Sequence, residues 1–165
     1  GVRENMPVVT GKGLVGHVTE VGPVSSKVQL ILDARSSVGT IIQRPESRVT
    51  GILTGTMDNP YMPQMVDIPR NADVEDGDAV VTSGFGGIYP KGIAVGHVAA
   101  QHSDDSGLLK VAVIETAVDF QRLEDVAIIT ASREAPPPPI QPTPLSPGAE
   151  AAAQISAAQT KAAAQ

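Results

Sequence analysis

The sequence predicts an all-β fold: two small β-barrel modules of similar strand-turn framework, followed by a Pro/Ala-rich C-terminal tail. Three observations carry this. The 165 residues include only four aromatics (Tyr61, Phe85, Tyr89 and Phe120), with no Trp and no Cys. The core must then be aliphatic, and Val and Ile, branched at Cβ, favour a pleated surface. Apolar residues come in short runs separated by turn residues, as in a barrel or sandwich. One stretch also occurs twice. "VVTGKGLVGHV" (8–18) and "VVTSGFGGIYPKGIAVGHV" (80–98) both open Val-Val-Thr and close Gly-His-Val.

The elements follow in order. Val15, His17, Thr19 and Val21 alternate with Leu14, Gly16, Val18 and Glu20, which reads as a strand. "GPVSS" (22–26) is a turn, and "KVQLILD" (27–33) puts Val28, Leu30 and Leu32 on one face. Short strands follow at 38–43, 49–55 and 64–69, separated by "DARSS", "RPES" and "DNP". In the second half "EDGD" (75–78) holds an Asp-Gly pair suited to a tight turn. Strands are expected at 79–84 and 93–99, and "SDDSG" (103–107) turns into a strand at 108–116. "DFQRLED" (119–125) suits a short helix capped by Asp119, and "VAIIT" (126–130) is a last strand. Lys27–Asp33 and Lys110–Glu115 extend the repeat, each ending in an acid.

This reading places one module at 1–70 and the second at 71–132, with the strand near 126–130 returning to the first. Residues 133–165 form the tail. "REAPPPPIQPTPLSPG" cannot hold a sheet ladder, because proline donates no N–H, and reads as an extended linker. "AEAAAQISAAQTKAAAQ" has helix propensity without a docking stripe, so disorder or a frayed helix is expected.

Composition excludes several functions. Acids outnumber bases 18 to 12, a net charge of −6, whereas nucleic-acid binding needs a basic footprint. Without Cys there is no disulfide framework or thiolate zinc site. No apolar run approaches the roughly 20 residues that span a bilayer. The chain opens on Gly1 without a signal-peptide pattern, so a soluble protein or a soluble piece of a longer one is expected. His17, His97 and His102 lack the spacing of a helical metal site. His17 and His97 take matching places in the repeat and read as half-buried, hydrogen-bonded strand residues. Ser83, on a Gly-rich turn, raises a trypsin-like hydrolase, but no His and acid are set to converge on it. "SGFGG" lacks the Lys-Ser/Thr of a phosphate loop, and Asp104–Ser106 lacks a calcium-loop pattern. No enzyme activity, cofactor or metal is expected.

Three stretches resemble the family of the rod shape-determining protein MreC. "GLVGHVTEVGPVSSKVQLILDARSSV" looks like the opening of its extracytoplasmic part. "DVEDGDAVVTSGFGGIYPKGIAVGHV" is similar to its most recognisable stretch, and "AVDFQRLEDVAII" to its closing segment. The resemblance covers roughly Gly11 to Ile129. Position 97 departs from it, being His where the family usually has Arg. The resemblance implies two small β-barrels and a non-enzymatic scaffold on the periplasmic face of the bacterial inner membrane. It implies a link from MreB filaments and MreD to a penicillin-binding transpeptidase and its glycosyltransferase partner, and self-association as a homodimer. It also implies a membrane helix and a coiled coil outside this chain. An alternative is a periplasmic adaptor of a transport complex, whose barrels use similar Gly-Asp turns but do not need "TSGFGGIYPKG".

The second copy of the repeat inserts Phe85, Gly86, Gly87, Ile88 and Tyr89, which are the candidate partner-binding loop. Either its aromatics fold back to plug the barrel end, or they stand out as an anchor for a partner.

Overall fold

The computed structural model describes residues 1–130; the reading of the 133–165 tail lies outside them. The strands are β1 (Pro7–Val9), β2 (Leu14–Val21), β3 (Ser26–Leu30), β4 (Val38–Ile42) and β5 (Thr50–Thr54). They continue with β6 (Gln64–Pro69), β7 (Ala79–Thr82), β8 (Ala94–Ser103), β9 (Leu109–Thr116) and β10 (Ala127–Ile128). The fold is all-β. One module is a closed barrel in the order β4-β5-β6-β9-β8-β7, and the other is a four-stranded sheet, β10-β1-β2-β3. The helix expected at 119–125 is a single 3-10 turn, Phe120–Arg122, with the Asp119 carboxylate accepting from the Gln121 N–H.

The sheets do not divide the chain near residue 70. β4, β5 and β6 lie before that point, yet they close the barrel with β7–β9. Alternation defines a strand but not its sheet, so the grouping was invisible in the pattern. β10 pairs with β1, Val8 opposite Ile128, which brings the closing segment back to the opening strands.

The repeat is structural. Pro7, Val8 and Val9 face His17, Gly16 and Leu14, while Ala79, Val80 and Val81 face His97, Gly96 and Ala94. Both pairs slip register at the same step. Gly16 then faces Leu30 and Gly96 faces Thr116. A Cβ on Gly16 would lie 1.9 Å from the Gln29 carbonyl oxygen, and one on Gly96 would lie 2.0 Å from that of Glu115. Only glycine allows that approach, which explains why Gly-His recurs. The third strands need a correction. Val28 faces Val18 as Ile114 faces Val98, so Lys27 matches Val113 rather than Lys110.

The larger core fills the barrel with Leu53, Met65, Ile68, Val95 and Ile114, and takes in Leu14 and Ile31 from the first copy. A smaller core holds Val8, Val15, Val18 and Val118. Phe120 packs against both.

Candidate partner-binding loop

The loop between β7 and β8 is built from its base upward. Thr82 is buried, and its backbone N–H donates to the Ile93 carbonyl at 2.9 Å. Its hydroxyl accepts from the Ile93 N–H at 2.9 Å and donates to the Pro90 carbonyl. The Gly92 N–H returns to the Thr82 carbonyl at 2.8 Å. These bonds pinch the loop at both ends. Above them Gly84, Gly86 and Gly87 all take positive φ, near 80°, 88° and 76°, where a side chain would be strained.

The loop's two aromatics take opposite roles. Tyr89 is 4% exposed and belongs to the barrel core. Its hydroxyl lies 2.7 Å from His17 Nδ1, with the rings edge to face at 5.9 Å. Burial pushes the Tyr89 hydroxyl up to about 12 and lowers the His17 imidazole from its usual value. Tyr89 therefore plugs the barrel end and reaches across to β2 of the other sheet. Ile88 is half-buried and packs against the same core. Phe85 is 75% exposed.

Phe85 stands beside a cleft of about 270 Å³, lined also by Gly39, Thr40, Gly51, Ile52 and Ser83. A Cβ on Gly39 would come within 2.8 Å of Phe85 Cβ and Ser83 Oγ, so a glycine in β4 lets the loop lie down. Sequence reasoning missed Gly39 and Gly51, and their only signal was glycine inside predicted strands.

Ser83 is a turn residue. Its Oγ accepts from the Phe85 N–H at 3.3 Å, while His17 Nδ1 is engaged with Tyr89. His97 lies opposite Glu115 in the ladder. Asp104 accepts from Ser106 Oγ and from the Gly107 and Leu109 N–H groups, closing its own turn. Among the described residues no group of three or more His, Cys, Asp or Glu is placed to hold a metal. No described helix is long and apolar enough to cross a membrane. In "EDGD", Asp78 is buried, accepts from the Glu75 N–H at 2.8 Å and pairs with Arg44 Nε at 3.2 Å. Arg44 also reaches Asp73 at 3.0 Å, so this acidic turn is tied to the end of β4.

Fold and loop together define an all-β protein of two modules, one a closed barrel and one a four-stranded sheet, in which Ser83 Oγ and His17 Nδ1 are each engaged with other groups. Comparison with known proteins agrees on the class. The family described as "Rod shape-determining protein MreC, barrel core" matches residues 1–130. The cell shape-determining protein MreC of Listeria monocytogenes is 33% identical over 137 residues, which is 82% of this chain and 46% of that protein. The solved structure of MreC from Listeria monocytogenes superposes with a TM-score of 0.72 at 32% identity, covering 78% of this chain and 61% of that one. MreC in a complex with Penicillin-Binding Protein (PBP2) from Helicobacter pylori has a TM-score of 0.63 at 24% identity, covering 78% and 80%, a likeness of fold. This chain belongs to the MreC family. It spans less than half the length of the curated Listeria relative.

Proposed function

We propose that this chain is the extracytoplasmic β-barrel part of a non-enzymatic cell-shape scaffold, and that the Phe85 loop docks a penicillin-binding transpeptidase. The observation that carries the loop's role is Phe85, three-quarters exposed on a loop pinched at its base and set beside a cleft. An exposed aromatic offers a large apolar surface for a partner to bury, and such residues concentrate binding energy. The complex of the Helicobacter relative with a penicillin-binding protein supports this choice of partner. In the same reading the glycosyltransferase joins through the transpeptidase, MreD and MreB engage parts outside this chain, and the whole protein works as a homodimer on the periplasmic face of the inner membrane. The partners already taken by Ser83 and His17 support a non-catalytic role.

The test is the affinity of Phe85→Ala for the transpeptidase's extracytoplasmic region, measured by biolayer interferometry. Losing an anchor weakens binding by about 2 kcal/mol or more, roughly thirty-fold. Melting should stay close to the parent, because the side chain is exposed. Unchanged affinity would remove Phe85 from the interface. Labelling of Ser83 by a serine-reactive phosphonate would remove the non-enzymatic reading.

A further inference from the structure

A second groove lies away from the Phe85 cleft and shares no lining residue with it. It holds about 540 Å³ and runs between the β5–β6 loop and the segment after β9, lined by Tyr61, Met62, Glu115, Asp119, Phe120 and Gln121 among others. We propose that this groove binds a Lys or Arg side chain presented by a basic segment of a partner protein.

Three features argue for a cation. Tyr61 is half exposed and Phe120 partly buried, so the groove offers aromatic surface, and a cation is attracted to the face of such rings. Glu115 and Asp119 are both exposed and line the same groove, and neither forms an ion pair among the described residues. Glu115 has only His97 opposite it in the ladder, and Asp119 gives one oxygen to the Gln121 N–H. Lys12 and Arg122 share a neighbouring cleft with Asp119, but neither lines this groove. The third feature is rigidity. The Asn59 N–H donates to Thr56 Oγ1, the Met62 N–H to the Asn59 carbonyl, and the Ile114 N–H to the Pro63 carbonyl at 2.9 Å. The β5–β6 loop is therefore tied to itself and to β9, and little ordering remains to be done on binding.

Charge decides between occupants. A carboxylate forms strengthened hydrogen bonds with neutral hydroxyls as well as with cations, but only a cation also gains the Coulomb attraction of the two carboxylates that line the groove, which favours it over a neutral sugar. Met57, 89% exposed on the same loop, adds apolar surface for the rest of the segment.

The experiment is an amide chemical-shift titration of the whole chain with a penta-arginine peptide. A penta-glutamine peptide and chitotriose are the neutral arms. Shifts should concentrate at residues 61–62 and 115–121 and saturate with arginine only. Glu115→Gln with Asp119→Asn should weaken binding about ten-fold, with the turn kept because Asn caps as well as Asp. Tyr61→Ala should weaken it about three-fold. Shifts spread evenly over Asp104, Asp105, Glu124 and Asp125 would mean non-specific attraction and overturn the proposal. So would an equal response to glutamine or chitotriose, or variants that bind as the parent does.

Discussion

The β1–β2–β3 unit and the β7–β8–β9 unit agree beyond their strand pairs. The Asn5 N–H donates to the Val18 carbonyl as the Gly77 N–H donates to that of Val98. The Val18 N–H reaches Met6 as the Val98 N–H reaches Asp78, and the Ile31 N–H reaches Val15 as the Ala117 N–H reaches Val95. Each unit also takes a fourth strand on the same side, β10 against β1 and β4 against β7. The two differ in what completes them. The second unit gains β5 and β6, which close the barrel. The first gains Val118, Phe120 and Leu123 from the segment after β9, packed on its small core. The turn also differs. In the first copy the Thr10 N–H closes directly on the Gly13 carbonyl, whereas in the second the same bond, Thr82 to Ile93, encloses the long loop. That extra length carries Tyr89, whose hydroxyl meets His17 of the first copy. The copies share one ladder design, and the insertion in one fastens it to the other.

The largest expected effect comes from removing that fastener. Tyr89→Ala should cost about 3 to 5 kcal/mol of stability, as for other large buried aromatics. Phe85→Ala, four residues away on the same loop, should cost almost none. Equal losses in chemical denaturation would mean that the loop is not divided as its burial indicates.

Next come the paired glycines. Gly16→Ala and Gly96→Ala place a Cβ about equally far inside the van der Waals distance of a neighbouring carbonyl. Each should cost about 1 to 3 kcal/mol, the range for overpacking. Similar losses from the two variants would support equivalent registers, and a large difference would break the equivalence.

These glycines also show why part of the architecture could be read in the sequence. A close backbone approach admits one residue type, so Gly-His marks the same ladder position twice. The third strands carry no such mark. Apolar alternation alone let Lys27 align with Lys110, three residues from its partner in the ladder, because the second hairpin is longer. Sheet membership of β4–β6 was hidden for a related reason: period-two patterning shows that a face is buried but not against which neighbour. At the loop, glycines and two aromatics announced something special. The choice of Tyr89 as plug and Phe85 as the exposed residue depends on His17 lying across the gap, which a local reading cannot see.

A smaller effect isolates the bond between the copies. Tyr89→Phe keeps the plug and removes the hydroxyl, so it should cost about 1 kcal/mol, the net value of a typical hydrogen bond. A double-mutant cycle with His17→Ala should then show coupling of at least about 0.5 kcal/mol, since the residues touch. Additivity would reduce the contact to one of packing alone.

The smallest effect is the pH dependence of the same bond. The Tyr89 hydroxyl, raised to about 12, keeps its proton across the physiological range. It can donate to the Nδ1 of a neutral His17 or accept from the N–H of a protonated ring, so the bond reverses on protonation and is not what opposes it. Burial disfavours the charged ring, so the native His17 binds its proton less readily than the unfolded chain, whose ordinary value is 6.5. Between those two values the unfolded state holds more protons, so stability rises with pH there. Above 6.5 both states are neutral at this site and it adds no slope. As pH falls from 6.5 through the lower native value, stability is lost. Urea midpoints at pH 7.5 and 5.0 for the parent and His17→Gln measure this directly. His97 and His102 are present in both proteins, so their contributions cancel in the difference. The gap between parent and variant should shrink at pH 5.0. A gap that stays constant would show that His17 does not couple the joining of the two copies to protons.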